Sequence, residues 1–225
     1  MKIEIPHRWN VTTAEARDIQ LSLRERLETE DRFGPIHRVA GVDVGFPDKG
    51  RTTRAAVVVL TFPGLEYAEK AVVEVPTRFP YVPGLLSFRE VPAVIAALER
   101  LRHDPDVILC DGQGTAHPRR FGIACHLGVL CDVPTIGVAK SRLTGEHAPV
   151  PEDRGASTPL LLRGETIGAV LRTRSGVRAV YVSPGHRVSL RSSLEITMQC
   201  TTRYRLPETT RWADRIASRG KDSPT

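Results

Sequence analysis

No apolar run in this chain approaches the ~20 residues that a membrane helix needs. The opening stretch, Met1-Lys2-Ile3-Glu4-Ile5-Pro6-His7-Arg8, has no apolar core of the kind a secretory signal carries. The chain therefore reads as cytoplasmic. No two cysteines form a CxxC pair, and the four present (Cys110, Cys125, Cys131, Cys200) mostly have apolar neighbours. Such spacing argues against zinc, and such surroundings suit free cysteine acting as a small hydrophobe. There is no internal repeat, no low-complexity tract and no heptad pattern. The absence of heptads and apolar patches predicts a monomer.

What is present suits one globular domain. Length is 225 residues, with 40% hydrophobic and 26% charged content. We read residues 1–225 as a single domain with 1–9 and 220–225 flexible. Net charge is +6, unevenly spread. Between Arg163 and Arg191 six arginines (163, 172, 174, 178, 187, 191) face one acid, Glu165. A basic face of that kind attracts polyanions, nucleic acid first.

The central stretch is Val107-Ile108-Leu109-Cys110-Asp111-Gly112-Gln113-Gly114-Thr115-Ala116-His117. Its apolar half reads as a buried strand and its glycine half as a tight loop, which places Asp111 where a strand leaves the core. Upstream, Thr12 and Glu15 form a capping-box pattern ahead of a helix over about 12–31. This helix looks like packing material. Val39 to Phe46 is a short apolar strand with one acid, Asp43, in its middle. A lone buried carboxylate is costly unless it is paired or binds a metal. Strands at 55–62 and 68–75 complete an antiparallel meander.

The segment 76–87 has no period. Pro80 and Pro83 stiffen it around Tyr81, which such a loop presents to a base or duplex. Ser87 and Glu90 repeat the capping-box pattern before a second helix, so Glu90 either caps that helix or points out of its first turn as a ligand or base. Strand (106–111), helix (119–131) and strand (135–139, ending at Lys140) make a parallel crossover unit. After a polar excursion at 145–157, short runs over 160–162, 166–171 and 178–182 predict a small antiparallel sheet. Helices over 189–199 and 209–219 follow. Three antiparallel strands, then parallel strands, with helices between them, match an α/β fold of ribonuclease H-like type. In that fold the first and fourth strands are neighbours, and Asp43 faces Asp111.

Asp43, Glu90, Asp111 and the late Asp214 could share one site. Crowded carboxylates raise each other's pKa, and a hard divalent cation relieves the repulsion. Mg²⁺ so held can activate water and offset charge on a phosphate. With a basic surface and an exposed aromatic, the residues point to a nuclease.

The chain resembles the endonuclease V family over residues 10–219 or so. Four stretches carry the resemblance: Gly41–Val44, Pro80–Glu90, Asp111–Arg119 and Gly137–Ser141. It implies that Asp43, Glu90 and Asp111 match metal-binding acids and that Lys140 matches a catalytic-site lysine. It also implies that Tyr81 wedges the strands apart, beside Pro83. The base pocket would then comprise Gly84, Leu86, Gly112, His117 and Ile123. His117 could hold the flipped nucleotide or move a proton. The activity implied is Mg²⁺-dependent (Mn²⁺ substituting) repair of double- or single-stranded DNA containing deoxyinosine. Metal-activated water cuts the second phosphodiester bond 3′ to the lesion, leaving 3′-hydroxyl and 5′-phosphate ends. Asp214 departs from the pattern, standing where many relatives carry His, and its assignment as a ligand rests on chemistry alone. Three alternatives stay open: an inosine-specific endoribonuclease, a nuclease that reads structure and ignores inosine, and a binding protein that no longer cleaves.

Overall fold

Thr12 begins the first helix as its sequence predicts. Its hydroxyl accepts from the Glu15 N–H at 3.2 Å, and Glu15 accepts from the Thr12 N–H at 2.7 Å. The computed structural model describes residues 1–219, so the tail at 220–225 lies outside the described residues. In chain order the elements are α1 (Thr13–Arg24), β1 (Arg38–Gly45), the four-residue turn α2 (Pro47–Gly50), β2 (Thr52–Thr61) and β3 (Tyr67–Pro76). Then come α3 (Leu86–Leu98), β4 (Val107–Cys110), α4 (Ile123–Cys131), β5 (Thr135–Ala139), β6 (Ser157–Leu162), β7 (Glu165–Leu171), β8 (Val180–His186), α5 (Leu190–Gln199) and α6 (Glu208–Arg219).

The eight strands among the described residues form one sheet, ordered β3-β2-β1-β4-β5-β8-β7-β6. The meander β1–β3 is antiparallel, and β1, β4 and β5 run parallel, as expected. The last three strands do not make a separate small sheet. β8 pairs antiparallel with β5 and joins them to the main one. The Ser183-Pro184-Gly185 sequence reads as a turn, yet it lies within β8, where a register shift opposite Thr135 and Ile136 accommodates the proline.

Helices cover both faces. Ala40 and Val42 of β1 pack with Val91 and Val94 of α3 and with Leu127 and Leu130 of α4. Val39 and Leu109 pack on the opposite side with Ala213 and Ile216 of α6. No helix among the described residues is long and apolar enough to cross a membrane.

Two further expectations change. α1 stops at Arg24, not near 31, because tertiary partners take the following backbone. The Arg187 N–H donates to Glu28 O at 2.6 Å, and the Arg32 N–H to Arg187 O at 3.1 Å. Residues 1–9 touch the core: the Glu4 N–H donates to Leu130 O at 2.8 Å, and Trp9 packs edge-on to Phe88. The arginines of 163–191 do not form one basic face. Arg172 is buried and donates to Val150 O and Pro151 O, pinning the 145–157 excursion, while Arg187 pairs with Asp132 at 2.9 Å.

Candidate active site

The register of β1 and β4 builds the centre of the site. Their parallel pairing ends at Val42–Cys110, so Asp43 and Asp111 are the next residues on adjacent strands. On β1, Gly41, Asp43 and Gly45 share one side of the strand. The two glycines admit α6 directly onto the backbone: a Cβ at Gly41 would sit 2.1 Å from the Thr209 carbonyl carbon, and one at Gly45 2.3 Å from Ala217 O. Asp214 of α6 is thereby brought to Asp43. Ligand oxygens of Asp43, Asp111 and Asp214 all lie within 4.8 Å of one another.

Lys140, just past β5, bridges two of them. Its Nζ is 2.5 Å from Asp111 Oδ2 and 3.2 Å from Asp214 Oδ1. Burial, then Asp111 and Asp214, push the Asp43 carboxyl up to about 8. Asp111 is also raised, because burial outweighs its ion pair with Lys140. Burial opposes the Lys140 charge, but its two carboxylate partners win and raise its pKa.

Glu90 does not cap α3. Leu85 occupies the N-cap without a side-chain bond, and Ser87 Oγ is 2.9 Å from His126 Nδ1. Glu90 is buried instead, and burial, then Asp43 and Asp111, hold its carboxyl well above the usual range. It lies beside the three-carboxylate group without being within its 4.8 Å span. Hard oxygen donors, like charges at close range and raised carboxyl pKa values are the donor set of a divalent-cation site.

Next to Asp111 opens a cavity of about 310 Å³. Gly84, Leu86, Gly112, His117 and Ile123, expected to form the base pocket, line it together with Tyr81 and Pro83, and Asp111 and Lys140 form the edge shared with the carboxylates. Tyr81 is 72% exposed, while Phe79 and Leu85 on either side are buried and anchor the loop. Proline on both sides of the Tyr81-Val82 pair keeps the ring from folding back.

The pocket wall is organised on one carbonyl. Gly84 O accepts from Gln20 Nε2 at 3.1 Å, His117 Nε2 at 3.0 Å and Arg119 Nη2 at 2.6 Å. Gly84 has φ +78°, a backbone that favours glycine, and a Cβ there would press on Arg119 Nη2 at 3.0 Å. His117 Nδ1 accepts from the Arg119 N–H at 3.2 Å. With both ring nitrogens engaged and the ring buried, His117 ties the Gly84 and Arg119 segments together and is not arranged to shuttle protons. Burial, then Arg119, bring its pKa down to about 4.

Gln20 was not foreseen. It takes the apolar side of α1 with Ala16 and Leu23, and a polar residue on that stripe was the available signal. Gln113, Ser141, Arg142 and Leu143 also line the pocket unannounced, with Gln113 Nε2 donating to Ser141 O at 3.0 Å. They lie in loops without periodicity.

Residues 21–215 match the family model for endonuclease V. An endonuclease V of Roseiflexus castenholzii is 58% identical over 221 residues, covering 98% of this chain and 99% of the relative. The crystal structure of the Streptomyces avermitilis endonuclease V superposes with TM-score 0.89 at 46% identity, covering 96% of each chain. Ciona intestinalis endonuclease V, solved in complex with a 24mer DNA containing an inosine followed by a ribo-adenosine, gives TM-score 0.79 at 26% identity, covering 91% and 95%. The chain belongs to the endonuclease V family.

Proposed function

We propose that this protein is a divalent-cation-dependent repair endonuclease that recognises deoxyinosine in DNA. It cuts the second phosphodiester bond on the 3′ side, leaving 3′-hydroxyl and 5′-phosphate ends, and it acts as a monomer in the cytoplasm. The observation that carries the reading is the shared edge at Asp111 and Lys140, which joins a base-sized pocket to a group of carboxylates. Asp43, Asp111 and Asp214, with Glu90 beside them, would hold Mg²⁺ or Mn²⁺. The cation supplies Lewis-acid chemistry, polarising a phosphoryl oxygen and making water a better nucleophile at neutral pH.

The chain's own residues do the rest. Tyr81 stacks in the gap left by the displaced base. The wall at Gly84, Gly112 and His117 takes the base edge, with Leu86 and Ile123 against its faces. Flipping costs least for a poorly paired base, which favours hypoxanthine over adenine. Lys140 balances carboxylate charge and, released from Asp111, holds a phosphate oxygen. The Ciona ligand supports inosine as the base recognised. Its ribonucleotide after the inosine favours a second reading, inosine in RNA, where a single 2′-hydroxyl contact decides the preference.

The test is cleavage of end-labelled oligonucleotides, DNA and RNA, with and without one inosine, in Mg²⁺ and in EDTA. A Mg²⁺-dependent nick one nucleotide beyond deoxyinosine establishes the reading. Stronger cutting of RNA moves the substrate to transcripts, equal cutting without inosine makes it a structure-reading nuclease, and binding without cutting removes the enzyme claim.

A further inference from the structure

A second cleft, of about 480 Å³, opens beside the pocket, with Arg24, Pro118, Arg120, Thr144, Arg163 and Glu165 in its walls. Three arginines meet one acid there. Glu165 is 3.9 Å from Arg120 and 79% exposed, so solvent screens most of that pairing. Arg120 Nη2 donates to Thr166 O at 3.3 Å, whereas its Nη1 is shut off from solvent and has no hydrogen-bond partner among the described residues. Arg120 and Arg163 also share an uncommon backbone, with φ +58° and +54°. That conformation suits Gly, Asn or Asp far better than arginine, and such outliers collect at functional sites.

Two segments of chain fix where the cleft lies. From Asp111 one loop passes through Gly112, Gln113 and His117 in the pocket wall before reaching Pro118 and Arg120 in the cleft. From Lys140 the other passes through Ser141, Arg142 and Leu143 in the pocket wall before reaching Thr144 in the cleft. Both run carboxylates, pocket, cleft, so along each segment the pocket comes between the other two.

We propose that this cleft seats a backbone phosphate of the bound strand on the 5′ side of the base in the pocket. The inference rests on the function proposed above, in which the cut falls on the 3′ side, at the carboxylates. A phosphate diester offers the oxygens that guanidinium forks pair with, and its charge offsets that of the arginines lining the cleft.

The experiment compares two DNA substrates with one deoxyinosine and the same 3′ flank. One carries ordinary phosphates 5′ to the lesion and the other neutral methylphosphonates. Wild-type KM is expected to be about tenfold lower on the ordinary substrate, as for loss of one or two phosphate contacts. In the double variant Arg24→Gln, Arg163→Asn the two KM values come within about twofold, with kcat unchanged. Both positions are exposed, and Asn accepts the left-handed backbone at 163, so the fold is kept. A variant that melts like the wild type and keeps the tenfold ratio overturns the seat alone. A wild type that ignores deoxyinosine overturns the function and the seat with it, and equal wild-type KM values overturn the seat.

Discussion

Around the Gly84 carbonyl three donors converge on one acceptor, whereas at Asp43, Asp111 and Asp214 the groups that meet are alike in charge. The first region is resolved by the protein itself. The second is resolved only in part, by Lys140, and retains repulsion that a ligand can relieve. Shape recognition gains from groups already in position, and cation binding gains from groups held in conflict. The two regions also answer acid in opposite senses. Asp43 is raised from 3.8 to about 8, so the folded chain holds the extra proton across that window and stability falls as pH rises through it. His117 is lowered from 6.5 to about 4, so the unfolded chain holds the extra proton and stability falls as pH falls through that window.

The sharpest way to break the contrast is Asp111→Ala. Single-turnover cleavage should drop by about a thousandfold or more, the scale of losing a principal electrostatic group at a reaction centre, while inosine DNA still binds. Cleavage near the wild-type rate would place the chemistry elsewhere.

Tyr81→Ala should leave the carboxylates intact and weaken binding of inosine DNA about tenfold or more, since stacking on one base is worth ~1–3 kcal/mol. Equal affinities by fluorescence anisotropy would remove Tyr81 from recognition.

The pH contrast is tested by calorimetry in EDTA. Asp43→Asn should raise the melting midpoint at pH 8 by about 3 °C or more, given ~2–4 °C per kcal/mol for a chain of this size. It should do much less near pH 5. An equal shift at both pH values would mean that the carboxylates do not repel. In the same protein, the His117 ring followed by NMR should stay neutral until about pH 4.

The smallest effect is expected from Gln20→Ala. It removes one of three donors from Gly84 O, worth ~1 kcal/mol, so preference for inosine over adenine should fall about fivefold with kcat kept. An unchanged preference would make Gln20 a packing residue only.

Elements whose signals are local were legible in the sequence. Thr12 and Glu15 act through neighbours three residues apart, and the strand at 107–110 is a bare apolar run. The same local pattern at Ser87 and Glu90 left two readings open, and tertiary partners decided between them by drawing Ser87 to His126 and Glu90 towards Asp43. The meeting of Asp43 and Asp111 followed from topology, and the pocket residues followed from family resemblance. The cleft around Arg120 and Arg163 was out of reach, since it joins segments far apart in the chain, and Gln20 offered only its place on the apolar stripe of α1. Charge counting also failed at Arg172, whose guanidinium is used on backbone carbonyls.

The loop from Asp111 to His117 is fastened along its length: the Gly114 N–H donates to Ser183 Oγ at 2.9 Å, the Thr115 N–H to Pro184 O at 2.8 Å, and Thr115 Oγ1 to Ile167 O at 2.9 Å. It thus behaves as a ruler. One end lies among the carboxylates and the other in the pocket wall, so in the function proposed above the offset between the base and the cut bond would be set by covalent spacing along a clamped segment. Such an offset needs no moving part to keep it constant.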